Sequence, residues 1–102
     1  MEPVKKHIEE NVILVGTKPF MSYMKSVNTL FRGKNLMNIE IKARGKNIKK
    51  AVDIAESGRN KFCHDLKIQV KNVEIGTEQF ISKEENKEIN VSTITIFLTR
   101  NI

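Results

Sequence analysis

One cysteine, two histidines, two prolines and no long apolar run leave this 102-residue chain little material for several kinds of function. A single thiol, Cys63, cannot close an intrachain disulfide and fits a reducing compartment. Cys63, His7 and His64 are too few and too badly spaced to hold a metal. Cys63 and His64 are adjacent, so their side chains diverge, whereas a Cys/His nucleophile pair joins residues distant in sequence. Cys63 therefore reads as a small packing residue beside Phe62. The glutamates crowd into the N-terminus and residues 76–91, leaving no carboxylate pair for acid/base work. Neither an enzyme nor a cofactor is expected. No stretch approaches the roughly 18 apolar residues of a membrane span, and MEPVKKHIEEN lacks the apolar middle of a signal peptide. The expectation is a cytoplasmic protein with a frayed segment at 1–10 and one domain over 11–102.

Positive charge is plentiful. The net charge is +6 and the sequence pI is near 9.6, a balance that favours polyanionic partners, of which nucleic acid is the commonest. Residues 76–91 hold Lys83 and Lys87 against Glu78, Glu84, Glu85 and Glu88, a local balance of −2, so the remainder carries +8. The basic character belongs to the body of the chain.

The apolar pattern alternates between strand and helix periods. Val12 to Val15 is a continuous apolar run ended by Gly16, which reads as a buried strand. Thr17 caps and Pro19 opens a helix whose stripe is Phe20, Met24, Val27 and Phe31, widened by Met21 and Leu30, and Gly33 stops it. Met37, Ile39, Ile41 and Ala43 alternate with polar residues as a half-buried strand. From Asn47 to Phe62 the helical period returns, with Ile48, Ala51, Val52, Ala55, Gly58 and Phe62 on one face and Ile54 at its flank. Leu66, Ile68 and Val70 mark a third strand, and the phase flips to Val73 and Ile75 after Lys71-Asn72, the sign of a β-bulge. Gly76 to Lys87 is polar, and Ile89 to Thr99 is a β-branched strand. The order is β-α-β-α-β-β. It predicts an α+β, two-layer fold: a mixed four-stranded sheet, two helices on one face, and a long hairpin arm between the last two strands, its tip projecting and mobile.

The most informative run is IKARGKNIKKAVD, residues 41–53. Lys42, Arg44, Lys46, Lys49 and Lys50 precede its first acid, and Gly45 sits where strand gives way to helix. Glycine permits a tight turn there, and a helix start with cations around it suits phosphate. Such contacts position a protein on nucleic acid without reading its sequence. Gly16-Thr17-Lys18-Pro19 is a weaker version of the same device and lacks the spacing of a nucleotide-binding P-loop. Of the six aromatics, Phe20, Phe31 and Phe97 fall on core patterns, while Phe62 and Phe80 can be displayed, Phe80 packing against the base of the arm.

Five runs in one order, VGTKPFMSYM (15–24), IKARGKNIKKAVDIAE (41–56), RNKF (59–62), IGTE (75–78) and VSTITIFL (91–98), resemble the Alba family of archaeal chromatin proteins over residues 11–100. The resemblance implies a fold like the C-terminal domain of translation initiation factor 3. It also implies a homodimer that coats and compacts double-stranded DNA, and often binds RNA, with little sequence preference. It assigns phosphate contacts to Lys18, Lys42, Arg44 and Lys46, to which the basic run itself adds Lys49; groove contacts fall to the arm through Lys83 and Lys87, and a dimer–dimer contact to Phe62. A chromosome-associated location follows. Two departures stand out: Thr17 occupies the position of the family's acetylated lysine, so that switch does not carry over, and the arm is acidic where relatives' arms are basic. Two other readings compete: an RNA chaperone or ribonucleoprotein subunit, and an adaptor whose acidic hairpin recruits a basic protein.

Overall fold

The computed structural model describes residues 10–101. The expected frayed segment, apart from Glu10, lies outside them. The elements are β1 (Val12–Leu14), α1 (Phe20–Asn28) prolonged by a π-type turn (Thr29–Gly33), β2 (Asn38–Arg44), a 3₁₀ turn (Gly45–Asn47), α2 (Ile48–Ser57) prolonged by a second π-type turn (Gly58–Phe62), a short 3₁₀ turn (His64–Leu66), β3 (Ile68–Ser82) and β4 (Lys87–Arg100). The strands lie in the order β1-β2-β4-β3. β1 runs parallel to β2, and β4 runs antiparallel to both β2 and β3. The sheet is therefore mixed, and β1, β2 and β3 share one direction.

One face of this sheet is dry. Ile39, Ile41 and Ala43 of β2 and Ile94, Ile96 and Leu98 of β4 meet Tyr23, Met24, Val27, Leu30 and Phe31 from the first helical segment and Ala51, Ile54 and Ala55 from the second. No polar or charged side chain is buried among the described residues. The other sheet face carries Glu40, Lys42 and Arg44 beside Phe97, Thr95 and Thr93, their partners across the β2–β4 ladder. Phe97 thus sits half-buried on the open face, not in the core where its pattern had placed it. The period of two is sound, but the count must start from Ile96.

The helices also refine the expected phases. In α2 the buried stripe is Ala51, Ile54, Ala55 and Gly58, spaced i, i+3, i+4, i+7, with Ile54 at 0% exposure and Val52 at 41%. Ile54 belongs to the centre of the stripe and Val52 to its flank, the reverse of the expectation. Phe62 leaves the stripe altogether and is 44% exposed, because the π-type turn over Gly58–Phe62 takes up extra residues and rotates the chain out of the 3.6 period. Met21 and Met37, both expected to face the core, are exposed, Met37 because β2 begins one residue later. Thr17 does not cap α1: Pro19 occupies the cap position at φ −59°, and no side chain caps that end. Leu66 packs into the core from the 3₁₀ turn before β3.

The β-bulge falls at the expected place. Val70 pairs with Leu98 and Asn72 with Phe97, so Lys71 is the extra residue. Beyond it, Val73 and Ile75 stand opposite Ile96 and Ile94, on the helix side of the sheet. They stay exposed, Ile75 at 82%, because β3 is the edge strand and the helices do not reach over it. The polar stretch from Gly76 is the hairpin arm, and it is ladder nearly to its tip: pairing continues to Ser82 opposite Lys87, and only residues 83–86 turn. Among the described residues no helix is long and apolar enough to cross a membrane.

The revised phase of α2 predicts that Ile54→Ala lowers the unfolding free energy by about 2–5 kcal/mol, whereas Met21→Ala changes it by about 0.5 kcal/mol or less; urea unfolding of both variants decides.

Candidate nucleic-acid interface

Parallel pairing places two turns side by side. Val15 N donates to Lys42 O at 2.8 Å, extending the β1–β2 ladder to the end of the strand. The chain then leaves β1 through residues 15–19 and β2 through residues 45–47 at the same edge of the sheet, and each exit feeds a helix. This is the edge outside the carboxyl ends of parallel strands, where α/β sheets commonly bind ligands.

The second turn depends on its glycine. Arg44 is extended at φ −141°, and Gly45 then swings to φ +59°, the left-handed region that side-chain-bearing residues avoid by about 1–2 kcal/mol. A Cβ on Gly45 would lie 3.4 Å from Val91 Cγ1, so the turn also rests on the base of the arm. Asn47 leads into α2 without a side-chain cap, and no acid stands in the first turn of α2. Ile48 N–H donates to Gly45 O within the 3₁₀ turn, and no side-chain carboxylate in the first turn neutralises the positive end of the helix.

The cations expected to act together fall into three groups. Lys18 and Lys46 are exposed and have no ion-pair partner among the described residues. Lys42, Arg44 and Lys49 each have a carboxylate: Lys42 Nζ lies 3.8 Å from Glu40, Arg44 Nη1 3.2 Å from Glu78, and Lys49 Nζ 2.8 Å from Asp53. The Arg44 guanidinium also stands 5.2 Å from the centre of the Phe80 ring, so Phe80 does pack at the arm's base. Lys83 and Lys87 lie apart, in and just after the turn at the far end of the arm, with Lys87 4.0 Å from Glu85. The acid-free run of residues 41–52 is thus supplied with acids in space, one of them from β3. Lys25, not singled out by the sequence, lines the same cleft as Lys18 between β1 and α1. Only its place on the outer side of α1 distinguishes it, a weak signal in a chain rich in lysine.

Phe62 projects from a braced corner. Arg32 grips Asp65 with two hydrogen bonds, of 2.6 and 3.0 Å, and this pairing holds the Asp65 carboxyl below the usual carboxylate range. Cys63, between them, is fully buried, and burial pushes its thiol above the ordinary value.

Comparison with known proteins decides the family. The Alba family model matches residues 11–77. The chain belongs to the Alba family. It is 49% identical over 92 residues to the DNA/RNA-binding protein Alba of Picrophilus torridus, covering 90% of this chain and 98% of that one. To the DNA/RNA-binding protein Alba of Methanocella arvoryzae it is 44% identical, over 90% of this chain and 92% of the other. The solved structure of Alba from Thermoplasma volcanium superposes with a TM-score of 0.78 at 43% identity, covering 88% of this chain and 100% of that one. The α+β architecture with its mixed four-stranded sheet is thus the Alba fold.

Because the turn in this Alba chain requires a left-handed residue, Gly45→Ala should cost about 1–2 kcal/mol in urea unfolding. Gly45→Asn should cost less, since asparagine tolerates that region.

Proposed function

We propose that the chain is a homodimeric, nonspecific double-stranded DNA-binding chromatin protein that coats and compacts DNA through contacts to the phosphate backbone. One observation carries this reading: Lys18 and Lys46, exposed and without ion-pair partners among the described residues, flank an uncapped helix start at one sheet edge, with Arg44 beside them. Such an edge offers charge and backbone N–H donors to phosphate, contacts that position a protein without reading sequence. Its relatives are DNA/RNA-binding proteins by name, which supports the nucleic-acid-binding part of this reading.

Lys42, Arg44 and Lys49 join the contact by exchanging a carboxylate for a phosphate. Their present pairs are solvent-exposed, and such pairs contribute only about 0–1 kcal/mol, so a polyanion displaces them readily. The arm contributes little through Lys83 and Lys87, which stand among Glu84, Glu85 and Glu88. A second copy would cover the exposed apolar side chains Val52, Val73 and Ile75, and Phe62 is displayed for contact between neighbouring dimers on DNA. Residues 11–102 act as one unit, cytoplasmic and chromosome-associated. RNA is the second reading, favoured by the same phosphate-directed geometry.

Replacing Lys42 and Arg44 together by glutamate should abolish duplex binding while circular dichroism stays unchanged. In the wild type, log affinity against log salt should steepen by about 0.9 for each phosphate contacted. Retained binding with an unchanged slope in the double variant would refute the basic edge. Competition of structured RNA against duplex DNA at matched salt separates the two readings. For the dimer, Ile75→Asp should shift the sedimentation coefficient to that of a monomer; a dimer that survives would place the interface elsewhere.

A further inference from the structure

Lys50 belongs to the basic run by sequence but not by position. Its Nζ turns back across the domain and donates to Gly16 O at 2.9 Å and to Lys18 O at 3.2 Å. The same ammonium stands 5.7 Å from the centre of the Tyr23 ring. Tyr23 is itself buried, at 4% exposure, and its hydroxyl Oη accepts from Gly16 N at 2.7 Å and from Lys18 N at 3.2 Å. Two side chains, one from each helix, thus take up both peptide groups of Gly16 and Lys18. This loop therefore offers no N–H of those residues to a phosphate, only the side chain of Lys18.

We propose that Tyr23 and Lys50 are positioning residues that lock the Lys18 loop to α2, and that the charge of Lys50 serves the loop rather than the nucleic acid. The inference rests on the DNA-binding reading for its consequence, though not for its geometry. Lys50 lies one helical turn beyond Lys46 on the same rigid segment. A loop fastened to Lys50 keeps Lys18 at a fixed separation from Lys46 and Arg44, so the cations meet successive phosphates without being ordered on binding. Free lysines lose rotamer and loop freedom when they bind, and preorganisation lowers that cost. Tyr23 completes the device from the other side: its hydroxyl satisfies the loop donors of Gly16 and Lys18 from within the core.

The test combines amide exchange with a mutant cycle, using the full chain. In the free protein, Tyr23→Phe should speed exchange of the Gly16 and Lys18 amides by about tenfold, the effect of one ordinary hydrogen bond, while the Ile41 amide is unmoved. Lys50→Met, which keeps the stem and removes the ammonium, should also speed Gly16 and Lys18, and Lys50→Arg should restore much of the protection. Unchanged exchange in both Tyr23→Phe and Lys50→Met would overturn the assignment, whatever the chain binds.

On a duplex of random sequence, Lys50→Met and Tyr23→Phe should each lower affinity, and each should reduce the salt slope by about 0.9, the loss of one contact. Neither should have a further effect in a Lys18→Ala background. A further loss from Lys50→Met in that background would show Lys50 touching phosphate itself and would overturn the positioning role. If the wild type fails to bind duplex at all, the functional reading falls, and the exchange data still decide the loop.

Discussion

The parallel pairing of β1 with β2 governs the rest of the molecule. A parallel neighbour requires the chain to cross back over the sheet, and α1 makes that crossing on the dry face. The same pairing delivers the ends of both strands to one edge, where Val15 bonds to Lys42 before the two turns diverge. Because β4 inserts antiparallel between β2 and β3, β3 leaves at that edge as well, and the arm it forms projects beside the two turns. Three parallel exits therefore gather the Lys18 loop, the Gly45 turn and the base of the arm, although they are far apart in sequence. Val91 against Gly45 and Glu78 against Arg44 are the points where the third exit touches the second.

The charge at this edge is arranged rather than merely abundant. Lysine and arginine exceed aspartate and glutamate 18 to 12 in the chain, yet Lys42, Arg44 and Lys49 each have a carboxylate within 4 Å. In water such pairs lower the mutual repulsion of neighbouring cations at small energetic gain. They also keep the side chains extended over the surface, Arg44 flattened across Phe80. Lys50 differs from these three: it meets only carbonyl groups and a ring. A count of charges along residues 41–53 cannot separate these cases: Glu78 comes from another strand, Asp53 from the next helical turn, and Glu40 from two residues back along β2.

Much of this was legible in the sequence, and the misses have physical causes. Strand and helix order, the bulge at Lys71 and the special turn at Gly45 follow from period and from glycine. Ile54 was set at the flank because the stripe was drawn through Phe62, a ring that the π-type turn from Gly58 carries out of the 3.6 period and leaves displayed, as its place at the helix end allowed. The role of Tyr23 was invisible, since an aromatic on a core stripe gives no hint that its hydroxyl will satisfy a loop seven residues back. Thr17 carried the local signal for a cap, and tertiary structure overrode it. Arg44 was singled out from its neighbours in sequence, but Glu78, its partner in space, lies on the hairpin arm, and which residue of the arm meets Arg44 is set only by the strand register.

That stretch also resolves the apparent conflict between a basic domain and an acidic arm. β3 and β4 pair as a ribbon from Ile75 opposite Ile94 out to Ser82 opposite Lys87, and the outer edge of β3 is free along its length. Ile75 and Ile81 stand exposed on it, and a long flat edge of that kind invites pairing with other strands. Charged residues at the end of the ribbon oppose such pairing whatever their sign. Glu84, Glu85 and Glu88, interleaved with Lys83 and Lys87, protect the edge without adding to the positive surface. Acidic residues are the better choice where the domain binds a polyanion, since they stop the tip from competing with the basic edge for phosphate. The arm's charge is then tied to its exposed backbone, and it leaves the positive surface to the turns at the arm's base.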